Sequence, residues 1–130
     1  MSHLKKKSKD NLKAAQKLID EGFYASSIHC SYYSCLQFIK FIYIEDEDFI
    51  TDCNNKEKNS HNIIINKVLD EICEKADYKE EIRINKFLQD LKKTRVDADY
   101  NEVEITEEEA KFALLNTKHT LSDIKFILDI

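Results

Sequence analysis

The chain has 130 residues, no proline, no tryptophan, a single glycine (Gly22) and a formal charge of −5 from 20 lysines and arginines against 25 aspartates and glutamates. Tight turns draw on glycine and proline, so this composition excludes a hairpin-rich sheet, while a chain of this length that is 42% hydrophobic builds one core. The acidic balance argues against general electrostatic attraction to nucleic acid, although Lys5, Lys6, Lys7 and Lys9 make one end basic and Glu45 to Asp48 and Glu102 to Glu109 are acidic.

The expected architecture is all-α, an up-and-down antiparallel bundle of about five helices forming one domain over residues 1–130. The first helix runs from about Leu4 to Glu21, with Leu12, Ala15, Leu18 and Ile19 on one face, and Gly22 ends it. The second, from about Phe23 to Ile44, carries Ile28, Tyr32, Cys35, Ile39 and Ile42 on one stripe and Tyr24, Phe38 and Phe41 on another. A helix apolar nearly all round sits in the middle of a bundle or in a dimer interface. Residues 45–59 are polar and aperiodic and are expected to form the longest, most mobile loop.

The third helix begins near Ser60 and carries Ile64, Ile65, Val68, Leu69, Ile72, Cys73 and Ala76 to about Asp77. The fourth runs from about Lys79, with Ile84, Phe87, Leu88 and Leu91 inward, a face that continues to Arg95 and Ala98. Thr106 and Glu109 read as a capping box opening the last helix, which buries Ala110, Ala113, Leu114, Leu121, Ile124 and Leu128. No segment approaches the roughly 20 apolar residues of a membrane span, and the start, Met-Ser-His-Leu-Lys-Lys-Lys, lacks the apolar stretch of a signal peptide. The expectation is a cytoplasmic protein with no membrane contact, whose four cysteines (Cys30, Cys35, Cys53, Cys73) are buried thiols.

Strictly alternating directions put the starts of the first, third and fifth helices and the ends of the second and fourth at one pole. That pole would hold the lysine cluster, His61, Arg95 and Tyr100, with His29 at the opposite end and His119 midway along the last helix. An arginine on an apolar stripe is costly unless paired, so Arg95 either pairs with Asp97, Asp99 or a partner-chain carboxylate or receives a phosphate. Arg83, Lys86, Lys92 and Lys93 either extend a nucleic-acid-binding surface around it or form a solvated face. Asp97, Asp99, Glu102 and Glu104 lack the glycine and spacing of a calcium loop, and no glycine-rich phosphate loop is present, so neither metal nor cofactor is expected.

Four segments taken in order, AQKLIDEGFYASSIHCSYYSCLQFIKFIY, SHNIII, RVDADY and ITEEEAKFAL, resemble prokaryotic HEPN-domain proteins over nearly the whole chain. The resemblance implies a HEPN-like bundle, a homodimer in which the Arg95 helices meet, and work on RNA within a toxin–antitoxin or defence system beside a nucleotidyltransferase-type partner. Many such proteins are metal-independent ribonucleases that use an Arg followed shortly by a His. Here Arg95 is followed by Val96, Asp97, Ala98, Asp99 and Tyr100, and the next histidine is His119.

Metal-free cleavage of RNA needs a base for the 2′-hydroxyl and a cation for the growing phosphate charge. Arg95 supplies the cation. A phenol ordinarily ionises near pH 10, about 4 kcal/mol from being a ready base at pH 7. That weighs on Tyr100 and leaves His61 as the histidine to replace the missing one, unless it merely caps its helix or faces solvent. The resemblance also makes Tyr100 a site for nucleotide attachment by the partner. The alternative reading is a non-catalytic helical module for dimerisation and protein interaction.

Overall fold

The computed structural model describes residues 3–56 and 59–130. Among these residues there are six helices and no strand: α1 (Leu4–Asp20), α2 (Tyr24–Ile42), α3 (Glu47–Asn55), α4 (Ser60–Lys75), α5 (Tyr78–Tyr100) and α6 (Glu107–Leu128). The all-α bundle and its five long helices match the expectation to within a few residues at each end. No helix among them is long and apolar enough to cross a membrane.

Local chemistry sets the boundaries. Gly22, at φ 85°, ends α1 by letting the Gly22 and Phe23 N–H groups turn back to the carbonyls of Ile19 and Leu18. The Asp77 carboxylate accepts from the Glu80 N–H at 2.9 Å to open α5, and the Thr106 hydroxyl accepts from the Glu109 N–H at 3.1 Å to open α6.

The addition is α3, inside the segment expected to be a loop. Its nine residues are too few to show a period, but Asp46 caps it by accepting from the Phe49 N–H, and Phe49 and Cys53, four residues apart, are buried. An ion pair of 2.9 Å between Asp46 and Lys67 fastens it to α4. Glu57 and Lys58, also part of the expected loop, lie outside the described residues.

With α3 as a crossover, α2 and α4 run parallel. Tyr32 meets His61, and Tyr43, eleven residues on, meets Glu71. The pairs α1/α2, α4/α5 and α5/α6, joined by short turns, are antiparallel, as the contacts Lys5–Phe41, Lys92–Asn62 and Arg83–Asp123 show. The parallel step reverses every later helix relative to α2. The end of α5 and the start of α6 therefore lie beside the start of α2, and the expected pole, which held them at its end, is corrected.

The α2 helix is the centre of the bundle. Ile28, Tyr32, Cys35 and Ile39 are fully buried in one core with Ile65, Val68 and Ile72 of α4, Ile84 and Leu88 of α5 and Ile124 of α6. Ala15 and Ile19 of α1 pack with Ala110 and Leu114 of α6 in a second cluster. Ser8 and Ser34, both buried, exchange hydroxyl-to-carbonyl hydrogen bonds of 2.8 and 3.0 Å, which small side chains permit where α1 and α2 approach closely. Of the cysteines, Cys35 and Cys53 are buried and Cys30 is half-buried, whereas Cys73 is exposed, because α4 buries a narrow stripe that ends on Ile72.

If α3 is docked, Phe49→Ala removes a buried aromatic side chain and is expected to cost about 3 kcal/mol in urea unfolding. A loss under about 0.5 kcal/mol would mean that the segment behaves as a surface loop.

Candidate functional site

On α5 the buried residues Ile84, Leu88, Leu91 and Arg95 recur every three or four positions, so the last of them carries a charge into the face that packs on α2. Arg95 is 8% exposed. Its guanidinium carbon lies 5.1 Å from the ring centre of Tyr32, 5.7 Å from that of Tyr33 and 5.9 Å from that of Tyr100, three aromatic rings around one cation. Its countercharge is slack: Nη1 reaches Asp99 Oδ2 at 3.5 Å, the outer limit of a hydrogen bond, and the buried Nε has no hydrogen-bond partner. Of the carboxylates weighed for it in sequence, Asp99 is the one in contact.

Two histidines join the cluster from other helices. His29 of α2 places Nδ1 2.9 Å from the same Asp99 Oδ2 and sets its ring 4.6 Å from that of Tyr33. The sequence expectation put His29 at the far end of the bundle. The reversal introduced by α3 brings α5 antiparallel to α2, so Asp99 falls opposite His29 just as Arg95 falls opposite Tyr32. His61, at the start of α4, places Nδ1 2.9 Å from the Tyr32 hydroxyl.

Burial raises the Tyr32 phenol well above its ordinary range, so it stays neutral, while the nearby Arg95 charge draws its oxygen. The hydroxyl and His61 Nδ1 share one hydrogen bond, whose donor is set by the tautomer of the imidazole. Burial, followed by the charges of Arg95 and Lys92, holds the His61 imidazole below its ordinary 6.5. His61 at neutral pH is therefore uncharged.

The remaining sequence candidates divide. Tyr100 is 74% exposed and covers Arg95 at the end of α5. Lys92 reaches Asn62 at 2.8 Å, beside His61. Arg83 and Lys86 lie elsewhere, on a groove of about 520 Å³ between α5 and α6 that His119 also lines, and they pair with Glu80 and Asp123 and with Asp90. Lys93 is exposed on α5. The lysines of α1 flank the second half of α2, with Lys5 Nζ 5.7 Å from the Phe41 ring, and are not part of the cluster. No group of three or more His, Cys, Asp or Glu among the described residues could hold a metal ion.

Sequence reasoning underrated His29, Asp99, Tyr32 and Tyr33. Their signal was present as spacing: His29 and Tyr33 stand four apart on α2, and Arg95 and Asp99 four apart on α5. A family model described as HEPN domain matches residues 1–126. No curated protein and no solved structure matches the chain.

The His61 shift has a thermodynamic consequence. Unfolded His61 takes up a proton near 6.5 and folded His61 only at lower pH, so the unfolded state binds more protons and stability falls as pH drops through 6.5 towards the folded value. Urea midpoints measured between about pH 7.5 and about pH 5.5 should therefore fall further for the wild type than for His61→Gln. Equal slopes would contradict a depressed His61.

Proposed function

Because the chain belongs to the HEPN domain family, we propose that it binds RNA at the Arg95 cluster and cleaves it without a metal ion. The setting would be a toxin–antitoxin or defence system with a nucleotidyltransferase-type partner. One observation carries the RNA reading: a nearly buried guanidinium whose acid partner stands at 3.5 Å and whose Nε is unsatisfied. A structural arginine is ordinarily locked by a close, two-pronged carboxylate. Here donors are left over, and a phosphodiester is the ligand that a planar fork of donors fits.

The surroundings suit the same ligand. Tyr33 and Tyr100 offer ring faces on which unstacked bases can lie. His61 offers an N–H to a phosphate oxygen, and Lys92 adds positive charge beside it. The exposed Tyr100 hydroxyl is also the group that a nucleotidyltransferase-type partner could reach.

A second reading, dimerisation, is favoured by the α5–α6 groove, where Phe87 and Leu91 form an apolar floor beside Phe112, which is 66% exposed. Monomeric proteins rarely leave such faces uncovered. With α2 enclosed within its own chain, this groove replaces α2 as the face for a second copy.

Purified protein should cleave a labelled mixed-sequence RNA in EDTA. Arg95→Ala should abolish cleavage, and Arg95→Lys, which keeps the charge and loses the fork, should slow it by about 10-fold or more. Wild-type protein that neither cleaves nor shows salt-dependent RNA binding would overturn the reading. Sedimentation should give twice the chain mass for wild type and the single-chain mass for Phe112→Glu; a wild-type monomer would remove the dimer.

A further inference from the structure

The two histidines of the cluster are held by opposite partners. An ionised carboxylate can only accept, so Asp99 fixes the proton of His29 on Nδ1, whatever the charge of the ring. Nε2 is then the nitrogen that gains or loses a proton. The His29 side chain is 48% exposed, and Nε2 has no hydrogen-bond partner among the described residues, so it is open to a ligand. Asp99 Oδ2 is shared between His29 Nδ1 and Arg95 Nη1, so the imidazole and the guanidinium flank one carboxylate oxygen. His61 differs: its Nδ1 is engaged by a neutral phenol that can donate as well as accept, so no ionised partner fixes its proton.

We propose that His29, oriented by Asp99, is the proton acceptor of this site, and that the substrate must therefore carry a ribose 2′-hydroxyl beside the phosphodiester held by Arg95. The inference rests on the RNA reading above. His29 Nε2 takes the 2′-hydroxyl proton, the 2′-oxygen forms a bond to phosphorus, and the bond from phosphorus to the 5′-oxygen breaks. The leaving oxygen takes a proton from water. Arg95 and the His61 N–H hold the phosphate oxygens as their charge grows. The products are a 2′,3′-cyclic phosphate and a 5′-hydroxyl. His61 has no carboxylate to orient it or to stabilise a proton it gains, and burial with the Arg95 and Lys92 charges disfavours its charged form, so its part is binding. Asp99 is a positioning residue.

The groups that face His29 are Asp99 and Arg95 from α5 and Tyr33 from its own helix. The test compares wild type, His29→Gln and Asp99→Asn in EDTA on an RNA oligonucleotide and its fully 2′-O-methylated counterpart, with folding checked by circular dichroism. Wild type should give cyclic-phosphate ends from RNA and leave the methylated strand intact. His29→Gln should bind RNA within about twofold of wild type, lose kcat by about 100-fold or more, and lose the acid limb of the kcat/KM profile. Asp99→Asn, whose amide can donate to Nδ1 and move the imidazole proton to Nε2, should lose kcat by about 10-fold or more while binding RNA as wild type does.

Wild-type rate and limb in His29→Gln, or cleavage of the methylated strand, would overturn the assignment and leave the RNA reading standing. No cleavage by wild type would overturn this assignment, and no cleavage together with no salt-dependent RNA binding would overturn the RNA reading as well.

Discussion

A guanidinium cannot be dried inside a helical bundle unless something replaces the water it gives up, and that requirement organises the middle of this molecule. Arg95 occupies a position at which the α5 stripe calls for an apolar residue, and it is accommodated by tyrosine faces and one acidic oxygen rather than by a closed ion pair. Meeting that requirement draws in three helices: α2 supplies Tyr32 and Tyr33, α5 supplies Asp99 and Tyr100, and α4 supplies His61, which occupies the Tyr32 hydroxyl. The same groups that make the cation tolerable leave it short of acceptors. The polarity of the site and the packing of the core are thus one arrangement, in which the fully buried Tyr32 serves both.

Much of this could be read from the residues. The long helices declared themselves through stripes such as Ile84, Leu88 and Leu91, and their ends through Gly22 and the Thr106 cap, because burial of a face and satisfaction of end groups are local demands. Directions were not legible in the same way. A rule that short links make antiparallel neighbours holds for α1/α2, α4/α5 and α5/α6, but residues 45–59 are not a short link, and α3 inside them has only Phe49 and Cys53 to bury. One unseen nine-residue helix therefore misplaced His29, although the residue types of the site were in plain view.

The chain belongs to the HEPN domain family without a histidine shortly after Arg95, and the histidines of its cluster come from other helices. Imidazoles arrive from α2 and α4 at a cation on α5, one held by the Asp99 carboxylate and the other by the Tyr32 hydroxyl. Residue types that a linear pattern would place at two neighbouring positions are drawn here from three elements.

The crossover through α3 also bears on how the chain reaches this state. The α1/α2 pair and the α4/α5/α6 group are each closed by short turns and can form from local contacts, whereas the parallel docking of α2 on α4 joins segments separated by the whole 45–59 stretch. Closing that loop loses entropy before any reward from burial arrives, so this docking is the most costly pairing in loop entropy. His29 and both tyrosines that α2 supplies belong to the first group, and His61, Arg95 and Asp99 to the second. Neither half holds the constellation alone, so the cluster exists only where the two are docked.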